Sequence, residues 1–365
     1  MHHPHNTPLL SADPQATAAR SLLREVRHPN SVTAPPVHRG SMPALPWQGF
    51  WKSVARALTG RTPRVEGAEP AAPAQPWQAA AQRRRWTFAL LVLCSTVLAS
   101  VLFAQVQPAY ESAWLGWGQI ALFALLSAWV VSGFMTGMMG FWVMLRGDKH
   151  SLSARSVAGH ALSPDARTAI IMPICNEDVA TVFAGLRATC ESVAATGHGQ
   201  TFDVFVLSDS YDSDIARAER AAWEDLRTAL AANGQPPQVQ VYYRLRKRRT
   251  HRKAGNVADF CRRWGKDYRY MVVLDADSVM SGDCIVSMAK LMEANPTAGI
   301  IQTATQAIGH VTLHARAQQF ASRVTGRLFT LGMQFWQLGE SHYWGHNAII
   351  RVEPFMQHCA LAPIP

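Results

Sequence analysis

The chain has 365 residues, 48% of them hydrophobic and 16% charged, with 35 Lys+Arg against 25 Asp+Glu. That apolar content excludes a wholly disordered protein. Six scattered cysteines with no CxxC pair exclude a disulfide scaffold and point to free thiols in a reducing compartment. A mean hydropathy of −0.03 averages three unlike pieces. Residues 1–85 carry 11 basic and 4 acidic residues, 86–145 carry only Glu111, and 146–365 carry 24 basic and 20 acidic residues.

Residues 1–82 read as a disordered, Pro-rich tail. Twelve prolines stand between Pro4 and Pro76, interrupting helices and ladders, and the apolar residues between them are mostly Ala. One island differs. Over 47–58, Trp47, Phe50, Trp51, Val54 and Leu58 fall at helical spacing with Lys52, Arg56 and Arg61 around them. Such a basic amphipathic segment suits a membrane surface or a groove on a cytoplasmic protein partner. The plainer alternative is a transient helix in a tail.

Trp86–Tyr110 and Ser112–Leu145 are uncharged, and about 20 apolar residues span a bilayer core as a helix. Two transmembrane helices are predicted within 83–150, at about 87–106 and within 114–145. Gly133, Gly137 and Gly140 would allow close helix packing in the second. Arg83, Arg84 and Arg85 precede the first span and Arg146, Lys149 and Arg155 follow the second. The positive-inside rule places both outer flanks, the tail and the following domain in the cytoplasm.

After Arg146 short apolar runs alternate with amphipathic stretches. Strands are predicted at 169–174, 202–207, 239–243, 270–274 and 299–302, with helices at 177–195, 213–231, 255–264 and 283–294. This is an α/β pattern: a mainly parallel sheet with helices on both faces. Such sheets bind ligands at the carboxyl ends of their strands, and the polar residues of 151–365 do cluster just after the apolar runs.

Strand one ends in Asn176-Glu177, strand two in Ser208-Asp209-Ser210, and strand four in Asp275-Ala276-Asp277. Two carboxylates one residue apart repel unless a cation joins them, so Asp275 and Asp277 are a candidate seat for Mg²⁺ or Mn²⁺. The alternative for Asp277-Ser278 is an N-cap for the helix over 280–294. Strand three leads into a run in which seven of the ten residues Arg244–Lys253 are cationic. Lys253 is assigned to a nucleotide diphosphate, and most of the other six to anionic lipid or solvent. No finger, RNP or helix-turn-helix pattern accompanies the run, so nucleic acid is not expected as a partner. Asp209 suits hydrogen bonds from a nucleoside or, more plainly, a turn. Glu177 suits the same site or the first turn of a helix.

Taken together, Pro173…Asn176-Glu177, Asp209, Lys253-Ala254-Gly255-Asn256, Asp275-Ala276-Asp277 and Gln302-Thr303 resemble the family 2 glycosyltransferases of the GT-A fold. Within that family the segment 165–360, the paired spans and the Pro-rich tail are most similar to bacterial synthases of periplasmic glucans. The resemblance implies a multi-pass inner-membrane hexosyltransferase with a GT-A-like cytoplasmic domain. It also implies UDP-glucose as donor and a growing β-1,2-linked glucan as acceptor. By the same resemblance Asn176, Glu177 and Asp209 would hold the uridine, Lys253 would sit near the diphosphate, and Asp275 and Asp277 would serve the UDP-sugar and its divalent cation. His346 and Asn347 would approach the acceptor; a loop cap is the plainer role. One departure stands out: where the family carries a double Asp and then Gly-Ser-x-Asp, this chain has Ser208-Asp209-Ser210-Tyr211-Asp212-Ser213-Asp214. The family's general base and its Gln/Arg-x-x-Arg-Trp motif are not identifiable and are expected beyond Pro365. The domain over 151–365 is therefore expected to be an incomplete GT-A domain, weak or inactive in transfer by itself. Another family 2 polysaccharide synthase, or an inert membrane-tethered UDP-sugar-binding module, are the alternatives.

Overall fold

The computed structural model describes residues 75–108, 112–231, 238–309 and 311–359. Residues 1–74, with the 47–58 island, lie outside the described residues. The chain divides into two compact units, one with residues 154–302 and 345–359, the other with 75–153 and 303–344.

The first unit is a six-stranded sheet in the order β3-β2-β1-β4-β6-β5. Its strands are β1 (Thr168–Ile174), β2 (Phe202–Ser208), β3 (Gln240–Leu245), β4 (Tyr270–Val273), β5 (Ile300–Gln302) and β6 (Ala348–Arg351). β1 through β4 are mutually parallel neighbours. Helices connect them: α3 (Val179–Ala195), α4 (Ser213–Leu230), α5 (Arg252–Trp264) and α6 (Gly282–Ala294). Successive side chains of a strand face opposite ways, and here both faces are buried. Ile170, Met172 and Ile174 pack with Phe183, Leu186, Trp223 and Ile285 of α3, α4 and α6. Ala169 and Ile171 pack with Phe260 and Trp264 of α5. The predicted parallel sheet with helices on both faces is therefore present.

Three features differ from expectation. β6 was not foreseen: it runs antiparallel to β4, and β5 pairs antiparallel with β6 rather than extending the parallel series. Helix α6 is N-capped by Ser281, whose side chain accepts from Cys284 N at 3.3 Å, so Asp277-Ser278 is not that cap. Glu177 precedes α3, whose N-cap is Asp178, accepting from Thr181 N, so it is not a first-turn acid.

The second unit holds α1 (Pro76–Val106), α2 (Ala113–Arg146) and, from the insertion between β5 and β6, α7 (Leu313–Gln337). A short helix α8 (Val352–His358) closes the first unit. α1 and α2 are long and apolar enough to cross a membrane. α1 begins earlier than predicted, at Pro76, so 76–82 belong to it and not to the tail. Pro lacks an N–H that the first helical turn would leave unbonded anyway, and its fixed φ suits that position.

Candidate active site

Four parallel strands place their exits on one edge, and the antiparallel β6 enters at that same edge. Ala348 pairs with Val273, and Asn347 N donates to Val273 O at 2.7 Å. Gln302, at the end of β5, donates through Nε2 to His346 O at 3.2 Å. The reversal thus brings His346 and Asn347 to the strand ends that carry Asn176, Glu177, Asp209, Asp275 and Asp277. Backbone strain gathers here as well. Among the described residues five non-glycine residues have positive φ, and four of them, Asn176, His251, Arg252 and Asn347, flank this edge. Such conformations persist where the surroundings over-determine them and concentrate at functional sites.

On the β2–β3 side the geometry is closed. Asp209 is 5% exposed and accepts from Arg246 Nε at 2.8 Å and Nη2 at 2.5 Å, a bidentate pair buried at both ends. Two cations of the run, Arg244 and Arg246, are turned inward rather than to lipid or solvent. Arg246 is consumed by Asp209, Arg244 is bound by Asp259 and Asn256, and Arg249 donates to Ser210 O at 2.7 Å. Burial, with Arg263 and Arg246 nearby, pulls the Arg244 guanidinium down to about 10. Lys247, Arg248, Arg249 and Arg252, most of the six cations besides Lys253, are exposed.

Below Asp209 lies Glu219 of α4, 1% exposed. Its carboxyl group accepts from Ser208 Oγ at 2.7 Å, Ser210 Oγ at 2.5 Å and Tyr243 OH at 2.9 Å. Burial and then the adjacent Glu219 push the Tyr243 hydroxyl well above its ordinary value, so it stays a donor. Ser210 Oγ in turn accepts from Asn176 N at 2.8 Å. Asn176 Oδ1 accepts from Tyr211 N and Asp212 N at 3.1 and 3.3 Å. One buried carboxyl group thus ties the β1 exit loop to the β2 exit loop. Sequence reasoning missed Glu219 and the Arg246 pairing. A signal for Glu219 existed: with Trp223 and Leu226 it makes the buried stripe of α4, at helical spacing 219, 223, 226.

The β4–β6 side is open. Lys253 Nζ contacts Asp275 Oδ1, with the two side chains 45% and 34% exposed. His346 Nδ1, buried and without a hydrogen-bond partner, lies 3.8 Å from Asp275 Oδ2. Glu177 and Asp277 are exposed. The approach of α5 is set by Asn256, whose Nδ2 donates to Leu207 O at 2.8 Å, and by Gly255, where a Cβ would collide with Thr250 O.

A sequence model described as glycosyl transferase family 2 matches residues 169–359. The chain belongs to glycosyl transferase family 2. Two relatives are each named "Glucans biosynthesis glucosyltransferase H". The one from Cupriavidus pinatubonensis is 52% identical over 98% of this chain and 42% of the relative. The one from Enterobacter sp. is 47% identical over 100% of this chain and 48% of the relative. The chain thus spans less than half the length of these curated relatives. Among solved structures, a mannosyltransferase from Pyrobaculum calidifontis in complex with GDP-Man and Mn²⁺ matches with a TM-score of 0.37 and 15% identity, covering 62% of this chain and 55% of that one.

For a family 2 enzyme the donor set at the open side is sparse. Among the described residues no group of three or more His, Cys, Asp or Glu converges as a metal cage. Two neighbouring carboxylates still fit a hard cation such as Mg²⁺ or Mn²⁺, which completes its shell with water and phosphate oxygens.

Proposed function

We propose that this family 2 glycosyltransferase binds UDP-glucose at the carboxyl edge of its sheet. We further propose that it serves transfer of glucose to a growing β-1,2-linked glucan at the cytoplasmic face of the bacterial inner membrane. The observation that carries the reading is the convergence of Lys253, Asp275 and His346 beside the pre-built Asn176–Asp209 loop pair. The naming of relatives at about half identity supports the glucan product.

In this reading Asn176, Glu177 and Asp209 hold the uridine. The carboxylate of Asp209 is already paired with Arg246, so its role is to fix the loop and present an anionic edge next to a guanidinium. Lys253 offers its ammonium to the leaving diphosphate, where charge grows as the glycosyl bond breaks, and fixed charges aimed at that point lower the barrier. Asp275 and Asp277 would hold the divalent cation, which supplies Lewis-acid stabilisation of the same diphosphate. Lys253 and a cation would then share Asp275, and the exposure of that pair leaves room for exchange. His346 and Asn347 face the acceptor. Inverting displacement also needs a base to take the acceptor proton, and that role is assigned to none of these residues. α1 and α2 cross the membrane with their basic flanks inside.

Titration of UDP-glucose into the purified chain in Mg²⁺, by calorimetry, tests the donor site. Binding by the wild type that is weakened in Asp277→Ala is the expected result; no binding by the wild type overturns the reading. Competition with other UDP-sugars separates a glucosyl donor from the donors of other polysaccharide synthases. UDP release on its own measures whether the chain also transfers.

A further inference from the structure

Helix α7 belongs to no motif and carries none of the residues assigned to the donor site. Its last turn is fixed to the polar ends of the two long apolar helices. Arg84 Nη1 donates to Phe335 O at 2.8 Å, and Arg85 donates to Trp336 O at 3.3 Å and Gln337 O at 2.7 Å. Trp336 stacks on Phe88 with ring centroids 4.9 Å apart. Arg84 also grips Asp148, just past the end of α2, at 2.8 and 2.7 Å. Against the opposing effect of burial, that guanidinium holds the Asp148 carboxyl below its usual range. Arg146 lies over the Trp142 ring at 4.4 Å, an aromatic and cationic pairing common at membrane–water boundaries. One turn further in, α7 crosses α2 so closely that neither Gly332 nor Gly140 has room for a Cβ. The C-terminal end of α7 is thus anchored at the level where the spans become charged.

The N-terminal half is different. Leu313, Phe320 and Val324 are 87%, 70% and 61% exposed. At 3.6 residues per turn they share one face, which continues through Leu331. Arg316, Arg323 and Arg327 form a stripe along one flank of that face. Residues 313–337 contain no Asp or Glu, and none of the three arginines is in an ion pair among the described residues. Water is a poor solvent for such an apolar face, and a stripe of unpaired cations beside it matches anionic headgroups.

We infer that α7 is an interfacial helix. Leu313, Phe320 and Val324 lie at the headgroup–acyl boundary, and Arg316, Arg323 and Arg327 lie on anionic lipid. The inference rests on α1 and α2 spanning the bilayer. It does not depend on the identity of the sugar donor.

The test is hydrogen exchange on the whole chain in nanodiscs of phosphatidylcholine alone and of phosphatidylcholine mixed with phosphatidylglycerol. Amides of 313–327 should be protected in the mixed discs and less so in phosphatidylcholine alone. Replacing all three arginines (Arg316→Gln, Arg323→Gln, Arg327→Gln) should cut that protection on the order of a hundred-fold in mixed discs, since each cation near an anionic surface contributes about 1 kcal/mol. The pair Phe320→Ser and Val324→Ser should lose protection in both. Peptides from β1 to β4 should not change, which shows that the variants fold. Equal protection in both disc types and in the arginine variant overturns the lipid assignment and points to protein covering the face. Rapid exchange of 313–327 in every disc overturns it as well. Rapid exchange of 90–102 overturns the spans, and the inference with them.

Discussion

The two sides of the sheet edge use the same chemistry in opposite ways. Asp209, after β2, is buried and clasped by both arms of the Arg246 guanidinium, and its loop is bolted from beneath by Glu219. Asp275, after β4, is partly exposed and meets one flexible ammonium and a distant imidazole. A buried pair of charges is costly to disturb, because each partner left alone remains desolvated. An exposed pair is cheap to make and to break. On the proposed reading, the difference makes a donor site rigid where it would read a nucleoside and adjustable where a diphosphate and its cation would enter and leave.

The sharpest way to break this contrast is Asp209→Ala. It strands Arg246 in the interior, and a loss of stability of about 3–5 kcal/mol is expected, measured by thermal or urea unfolding in detergent. A loss as small as an exposed ion pair's would end the distinction. Glu219→Ala comes next. Three hydroxyls lose their acceptor, at about 2–3 kcal/mol, and UDP affinity should fall together with stability because the Asn176 loop is released. Glu219→Gln should recover most of both, since one amide oxygen still accepts. A core truncation of similar cost away from the edge, such as Met288→Ala, should leave UDP affinity unchanged. Asp275→Asn should behave in the opposite way. Stability should move by less than about 1 kcal/mol, while affinity for UDP in Mg²⁺ should drop about ten-fold, a cost of about 1.4 kcal/mol. Chelation of the metal should weaken the wild type and leave the variant nearly unaffected.

The order of strands and helices was legible because each is bounded by polar residues and each strand is a short apolar run. The parallel exits, and with them most of the edge, followed from that alternation. What escaped depends on partners distant in sequence. Arg246 looked like one cation among seven, and only the fold shows Asp209, 37 positions earlier, beside it. Its neighbours Lys247 and Arg248 have the same composition and face water. β6 is four residues long and reverses direction, and nothing local to Ala348–Arg351 announces which strand it will join. α7 has a clear helical stripe, but Arg316, Arg323 and Arg327 along it also suit an ordinary solvated helix, and its place beside α2 rests on the glycines at 140 and 332. The Pro at 76 counted as a breaker when it was a helix start.

The smallest effect belongs to Tyr243→Phe, and it tests whether the bolt under Asp209 is one network or two. Tyr243 OH donates to Glu219 at 2.9 Å and also meets the Ser208 side chain at the end of β2, whereas the bond to the Asn176 loop is carried by Ser210. Removing the hydroxyl should therefore cost about 1 kcal/mol of stability and leave UDP affinity unchanged. The pH dependence follows from the raised value of the tyrosine. A group whose value is higher folded than unfolded lends stability in full below the unfolded value, and that contribution is lost as pH rises beyond it. The gap between wild type and variant should be constant at neutral pH and close as pH climbs past about 10, the ordinary tyrosine value. A variant that loses UDP affinity at neutral pH as strongly as Glu219→Ala would place Tyr243 in the loop network. The rigidity of the β2–β3 side would then extend through β3 and not stop at the two serines.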